Sequence, residues 1–126
     1  MRKKMTERQI EKLAYEIRNF LLKHDLWMDV TIYFNGKAIS TDDRCGHYAY
    51  NDPTKLFVLE NQDPKRFFEY AGGIISMSFE GGLYEVMNYC SRPKVLNAFE
   101  KLLAKYGLHY ELGNAWNLSV YPNVAF

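Results

Sequence analysis

The segment DVTIYFNGKAIS constrains the fold more than any other part of the chain. Val30, Ile32 and Phe34 alternate with more polar residues, and Asn35 and Gly36 follow them directly. Asn-Gly supplies the two positive-φ residues that a type I′ turn needs, so the pattern predicts a β-hairpin with one apolar face. An isolated hairpin is barely stable in water, and we therefore expect other elements to cover that face.

Two segments whose apolar residues have helical spacing can cover the apolar face of the hairpin. Thr6 and Gln9 form a capping box at the start of the first. Ser91 is predicted to cap the second, with Pro93 in its first turn and Gly107 at its end. The predicted buried stripes are Ile10, Leu13, Ala14, Ile17, Phe20, Leu21 and His24 in the first helix, and Leu96, Phe99, Leu102, Leu103 and Tyr106 in the second. The solvent side of the first helix is assigned Glu11, Lys12, Glu16 and Arg18.

Further strands follow from the remaining apolar runs. The run KLFVLE predicts a buried strand from Leu56 to Leu59, and Asp63 with Pro64 predicts a short helix that ends at Gly72. The tail LHYELGNAWNLSVY predicts a last hairpin with a three-residue loop from Gly113 to Ala115. That loop would place Leu112 opposite Trp116, Tyr110 opposite Leu118 and Leu108 opposite Val120.

The segment GGIISMSFEGGLYEVMNY is compatible with two structures. In the first, Gly81 and Gly82 form a hairpin turn, Phe79 faces Tyr84, and Glu80 is a solvated charge. In the second, Leu83 to Cys90 forms a helix, because Leu83, Val86, Met87 and Cys90 also fit a helical stripe. We favour the hairpin and leave the helix open.

These elements define the fold class. Strands joined by short turns pair antiparallel, and two long amphipathic helices need a surface to cover. We predict one α+β domain over residues 1–126, with an antiparallel β-sheet built from hairpins and two long amphipathic helices packed on one face. The other face of the sheet is expected to be partly open.

Charge and composition exclude some classes of function. Sixteen Lys and Arg against fifteen Asp and Glu leave a net charge of +1, so the chain lacks a general attraction for nucleic acid or anionic membranes. No segment has the roughly 18 uninterrupted apolar residues of a membrane span, and polar residues follow the basic start where a signal peptide is apolar. We expect no membrane association and a cytoplasmic location, where Cys45 and Cys90 would be free structural thiols.

The loop TDDRCGHYAYNDP carries the densest set of reactive side chains, and a short strand is possible from Tyr48 to Tyr50. The candidate binding residues are Asp42, Arg44, Cys45, His47, Tyr48 and Tyr50. Cys45 and His47 could supply a thiolate and a base, or two metal ligands. The spacing fixes no third group, so we predict no catalytic residue, no metal site and no cofactor. An enzyme or metal-binding protein centred on Cys45 and His47 is the alternative.

Tyrosine is the other unusual feature. The chain has ten, and a tyrosine ring with its polar hydroxyl suits half-exposed contacts with a partner. Those without a place in the core are Tyr33, Tyr48, Tyr50, Tyr70, Tyr89 and Tyr121. The leading hypothesis is a small non-enzymatic binding or regulatory protein that contacts another protein or forms a homodimer. Single-stranded nucleic-acid binding, aided by Arg2, Lys3 and Lys4, ranks third, since no RNA-binding aromatic motif is present.

Overall fold

The computed structural model describes residues 4–69 and 71–123, so the expectations for Arg2, Lys3 and Tyr70 lie outside the described residues. The helices are α1 (Glu7–Lys23), α2 (Gly81–Tyr89) and α3 (Pro93–Ala104). The strands are β1 (Val30–Phe34), β2 (Lys37–Ser40), β3 (Phe57–Leu59), β4 (Ile75–Phe79), β5 (Leu108–Asn114) and β6 (Asn117–Pro122).

The strands form one antiparallel sheet in the order β3-β2-β1-β4-β6-β5. The α+β class is confirmed, as is the Asn35-Gly36 hairpin, in which Phe34 pairs with Lys37. Asn35 and Gly36 have φ of 51° and 77°, as the turn requires. Strand β4 is central, because Val30 pairs with Phe79 on one side and Ile75 pairs with Val120 on the other.

The helices cover one face of the sheet and enclose the main core. Ile32, Met77 and Leu118 pair across its three central strands and are fully buried. The helices contribute Leu13, Ala14, Ile17 and Leu21 from α1, Leu83, Val86 and Met87 from α2, and Val95, Phe99 and Leu103 from α3. The predicted packing of two long helices on one face therefore holds, and α2 joins the same core.

The predicted helix starts are confirmed for α1 and corrected for α3. The Gln9 amide donates to the Thr6 hydroxyl at 3.2 Å and the Thr6 amide donates to the Gln9 side chain at 2.9 Å. In α3, Pro93 lies in the first turn as predicted, but the N-cap residue is Arg92, without a side-chain cap, instead of Ser91. Since proline fixes its own φ and needs no hydrogen bond at N1, it can start the helix unaided.

Arg18 was assigned to the solvent side of α1, and this is wrong. The side chain is buried, and its Nη2 atom donates to the backbone carbonyls of Lys55 at 3.2 Å and Pro53 at 3.4 Å. Its guanidinium carbon lies 5.8 Å from the ring centroid of Trp27. The loop before β3 crosses this side of the helix, and helical periodicity carries no information about such a crossing.

The predicted hairpin at Gly81 and Gly82 is also wrong, and the helical alternative is confirmed. Strand β4 already pairs on both sides, with β1 and β6, so no edge is free for a strand after it. Only Gly81 of the two glycines has a positive φ, at 62°, whereas a type I′ turn needs two. Leu83, Val86 and Met87 face the core, while Cys90 is an exposed C-cap residue in the left-handed region.

The last hairpin forms, but with a different register. Leu112 pairs with Leu118 and Tyr110 pairs with Val120, so the predicted pairs are displaced by two residues. Asn114 and Asn117 close a two-residue turn, and an irregularity between Leu112 and Asn114 absorbs Gly113. A displacement by an even number keeps the paired residues on their predicted face, which explains why Leu108, Tyr110, Leu118 and Val120 pack in the main core as predicted. Trp116 is wrongly placed by the prediction, because it lies in the turn and its ring contacts Phe68 on the opposite face of the sheet.

Two smaller expectations are corrected next to β3. The strand lies at the edge of the sheet and is not buried, since Val58 is 45% exposed. The predicted helix after Asp63 is one 3-10 turn, Pro64–Arg66, although Asp63 caps it by accepting a hydrogen bond from the Lys65 amide.

The second face of the sheet is lined by hydroxyl groups. The Thr31 and Ser40 hydroxyls are 2.8 Å apart, as are those of Ser76 and Ser119, and all four residues are buried. Phe68, which follows the 3-10 turn, packs on Tyr33 and covers part of this face. The end of the face near the start of β1 lies under the loop that follows β2.

Candidate functional site

The antiparallel register brings distant parts of the chain to one end of the second face. Asp29 immediately precedes β1 and Glu80 immediately follows β4, and the Glu80 amide donates to the Asp29 carbonyl at 3.0 Å. The Phe79 amide donates to the Trp116 carbonyl at 2.8 Å, which places the β5-β6 turn beside them. The Thr41 amide donates to the Val30 carbonyl, so the loop after β2 starts at the same end.

These residues surround a recess of about 250 Å³, which we call the acidic recess. The hydroxyl-bearing residues Thr31, Ser40 and Ser78 are among its lining residues. It is lined by Asp29, Val30, Thr31, Ser40, Thr41, Asp42, Ser78, Phe79, Glu80 and Trp116. Three of these are carboxylates and none is basic. The recess therefore carries a local negative charge in a chain whose net charge is +1.

Tyr50 and Tyr48 stand beside the acidic recess. The Tyr50 hydroxyl donates to Asp29 Oδ1 at 2.7 Å, and the two tyrosine rings are 5.9 Å apart. The hydrogen bond to Asp29, with burial and the charge of Asp29, raises the pKa of Tyr50 to about 12. Tyr50 consequently stays a neutral donor, and Tyr48 and Tyr50 are 58% and 42% exposed.

A row of aromatic rings crosses the second face from the other side. Phe67 and Tyr33 have ring centroids 5.8 Å apart, Tyr33 and Phe68 also 5.8 Å, and Phe68 and Trp116 5.7 Å. Phe67 is 45% exposed and Trp116 is 38% exposed. Trp116 thus belongs to both the aromatic row and the wall of the acidic recess.

Arg44, in the loop after β2, contacts two residues of this row. Its Nη2 atom donates to the Tyr33 hydroxyl at 3.0 Å, and its guanidinium carbon lies 5.0 Å from the ring centroid of Phe67. Its own amide donates to Asp42 Oδ1 at 2.7 Å. The Arg44 side chain therefore connects the loop to the aromatic row, while its backbone bonds the carboxylate of Asp42.

Cys45 and His47 lie at the exposed tip of the same loop. The Asp43 carboxylate accepts hydrogen bonds from the Cys45 and His47 amides, and Asp43 Oδ2 is 2.7 Å from His47 Nδ1. Burial opposes ionisation of Asp43, but these hydrogen bonds outweigh it and lower the pKa of that carboxyl. Neither Cys45 nor His47 lines the acidic recess. Among residues 4–69 and 71–123, no three His, Cys, Asp or Glu side chains are placed to hold a metal ion.

The six predicted site residues therefore separate into three groups. Asp42 lines the acidic recess, and Tyr50 and Tyr48 lie beside it through the hydrogen bond of Tyr50 to Asp29 and the contact between the two rings. Arg44 contacts the aromatic row, and Cys45 and His47 are at the loop tip. The short strand expected from Tyr48 to Tyr50 is reduced to one bridge between Asp42 and Tyr48.

Sequence reasoning did not assign the other recess residues to a site, namely Asp29, Val30, Thr31, Ser40, Thr41, Ser78, Phe79, Glu80 and Trp116. Strand alternation in β1 and β4 does place Thr31 and Ser78 on the wetter face. The pairing of β1 with β4, which brings Asp29 to Glu80, has no local signal. The remaining unplaced tyrosines also separate: Tyr33 is buried, Tyr121 is partly buried, and Tyr89 is fully outside the site and 71% exposed.

In the described part of the chain, no helix combines the length and apolar character needed to cross a membrane. Comparisons with protein-family models, with curated proteins and with solved structures found no match for this chain.

Proposed function

We propose that this chain is a non-enzymatic binding module that recognises another protein through the second face of its sheet. The partner places a lysine or arginine side chain in the acidic recess and rests its apolar surroundings on Tyr48, Tyr50 and Trp116. The observation that carries the proposal is the combination of a carboxylate-lined recess with exposed aromatic side chains at its border.

Charge supports a cationic occupant. Asp29, Asp42 and Glu80 come from three separate segments and converge on one recess without a basic side chain among its lining residues. A single positive charge is attracted by all three, and the Ser78 hydroxyl can accept a hydrogen bond from an ammonium or guanidinium group. The recess is open to solvent at its mouth, so the charged group keeps part of its hydration and its desolvation penalty is reduced.

The aromatic side chains support a protein as the source of that charge. Tyr and Trp are enriched at the centre of protein interfaces, where a few of them provide most of the binding energy. Trp116 and Tyr50 border the recess, and Phe67 extends the apolar surface along the aromatic row. A small cationic ligand would occupy the recess alone and leave this larger surface unused.

The proposal is tested by selecting binders from a random peptide library displayed on phage. We expect enriched peptides to contain Lys or Arg next to an aromatic or aliphatic residue. Truncating an aromatic interface residue commonly costs 1–3 kcal/mol, so Trp116→Ala should weaken these peptides by roughly 10-fold or more. Glu80→Gln should weaken them less, and mainly at low ionic strength, because Glu80 is solvent-exposed.

Tyr89→Ala is the matched control, since Tyr89 is an exposed aromatic residue at the opposite end of α2 from Glu80. It should leave peptide binding within 2-fold of the wild-type value. Enrichment of acidic peptides, or equal loss of binding in the Tyr89 and Trp116 variants, would refute the proposed surface. The cytoplasmic location and the alternative activity at Cys45 and His47 stay predictions.

A further inference from the structure

Strand β5 is an outer strand of the sheet, and its free edge can be identified residue by residue. The Asn123 amide donates to the Gly107 carbonyl at 2.9 Å, so residues 107 and 123 form a hydrogen-bonded pair. Hydrogen-bonded and non-hydrogen-bonded pairs alternate along an antiparallel ladder. The amides and carbonyls of Leu108, Tyr110 and Leu112 therefore point away from β6. Within residues 4–69 and 71–123, no strand pairs with that edge.

Beside this edge the apolar side chain of Leu112 is exposed, whereas that of Leu108 is buried. Leu112 is 44% exposed, and a groove of about 490 Å³ between α3 and β5 is lined in part by Leu103, Leu108 and Tyr110. A free strand edge with exposed apolar side chains is a template for pairing with another strand. The irregularity after Leu112 ends the regular edge there, so a partner strand has five residues, 108–112, to pair with.

We propose that this edge joins two copies of the chain, with β5 of one copy antiparallel to β5 of the other and a two-fold axis at Tyr110. Tyr110 then faces its own counterpart, and Leu108 faces Leu112 of the second copy. These are the residues whose backbone groups point outward, so the new ladder forms hydrogen-bonded pairs at each of them. The proposal is independent of the proposed function, since it uses the outer edge of the sheet and not the acidic recess.

Charge complementarity selects this register. His109 and Glu111 lie on the other face of β5, and their side chains are in contact within one copy, with His109 Nε2 2.9 Å from Glu111 Oε2. With the axis at Tyr110, His109 of each copy faces Glu111 of the other as a non-hydrogen-bonded pair, where side chains are close. Moving the axis by one residue to His109 or to Glu111 would oppose two like side chains. The hydrogen bonds that the His109 ring donates to Glu111 and Asn123 also raise the pKa of His109, which favours its charged form.

The first test is the mass in solution, measured by sedimentation velocity over a range of protein concentrations. We expect a dimer that dissociates on dilution. Leu112→Asp should abolish it, because each of the two symmetric Leu108-Leu112 contacts would gain a carboxylate. Val58→Asp is the matched control, since Val58 is equally exposed on the opposite sheet edge, and it should leave the dimer intact. A wild-type monomer at every concentration, or dissociation by the Val58 substitution, would overturn the proposal.

The second test separates pairing between copies from the contact within one copy. His109→Glu places like charges across the axis, and so does Glu111→Lys, so each variant alone should be at least 10-fold weaker as a dimer. Mixing the two variants restores opposite charges at both positions, and a heterodimer should form. An effect inside one chain cannot produce recovery on mixing. If the mixture stays monomeric while circular dichroism shows that both variants are folded, this register is wrong.

Discussion

Replacing Arg18 tests how strongly the loop before β3 depends on helix α1. Arg18 is only 8% exposed, and its guanidinium group is shared between the carbonyls of Pro53 and Lys55 and the ring of Trp27. The hydrogen bond to Lys55, at 3.2 Å, is the shorter of the two. Arg18→Ala removes these interactions together with the buried apolar stem of the side chain.

The expected loss can be worked out from these contacts. A hydrogen bond from a charged group contributes roughly 1.5–3 kcal/mol, and we count one, because the bond to Pro53 is long at 3.4 Å. Each buried methylene of the stem contributes about 0.8 kcal/mol. The cost of burying the guanidinium group is recovered and offsets part of the sum. We expect Arg18→Ala to lower the free energy of unfolding by about 3 kcal/mol, and Arg18→Met, which keeps a stem, by about half as much.

The measurement is urea denaturation followed by circular dichroism at constant pH. Arg8→Ala is the control, because Arg8 is an exposed arginine of the same helix, and it should change the free energy of unfolding by less than about 0.5 kcal/mol. Hydrogen exchange should also become faster at Thr54 and Lys55, next to the released carbonyls. A loss below about 1 kcal/mol for Arg18→Ala, or equal losses for the Ala and Met variants, would refute the reasoning.

Two further predictions concern stability. Gly73→Ala should lower the free energy of unfolding by about 3 kcal/mol or more in urea denaturation, since φ is +70° and a Cβ would meet the Val120 carbonyl. Gly46→Ala is the control, because Gly46 has a similar φ but open space around it, and it should cost only about 1 kcal/mol. Equal losses in the two variants would contradict the steric argument. Burial opposes ionisation of Glu16, but hydrogen bonds from Tyr106 and Lys105 lower its pKa below the ordinary value. The contribution of ionised Glu16 to the stability of the fold is therefore present above the unfolded pKa of about 4.3, and it is lost as pH falls through the folded pKa. Glu16→Gln should therefore reduce stability by about 1 kcal/mol at pH 7 and have no effect near pH 2, whereas the exposed Glu85→Gln should have little effect at either pH.

The fold class was predictable because its signals are local. The capping box at Thr6, the turn at Asn35 and Gly36 and the helical stripes each depend on residues a few positions apart. The segment after Gly81 failed because both alternatives fitted the local pattern. The segment forms a helix and not a strand because β6 occupies the edge of β4 with which the predicted hairpin strand would have paired.

The candidate site was predictable only in part, because some of its residues are brought together by contacts between distant parts of the sequence. Turn-forming residues marked the loop that contains Asp42, Tyr48 and Tyr50; Asp42 lines the recess, and the two tyrosines lie beside it. The approach of Asp29 to Glu80 depends on pairing between β1 and β4, and these strands are far apart in the sequence, since β1 ends at Phe34 and β4 begins at Ile75. The burial of Arg18 was not predicted because long charged side chains are usually solvated. Its hydrogen-bond acceptors are carbonyl groups of the loop before β3, which is distant from Arg18 in the sequence.

The central position of β4 also has a kinetic consequence. Strands β1 and β2 form one local hairpin and β5 and β6 another, but the sheet becomes continuous only when β4 pairs with both. Local hairpins form in roughly 1–10 μs, whereas closing long loops slows the formation of distant contacts. We therefore expect the folding transition state to require β4, so that Met77→Ala slows folding while Leu112→Ala mainly speeds unfolding. Stopped-flow measurements that gave both substitutions the same effect on the folding rate would argue for a different order of assembly.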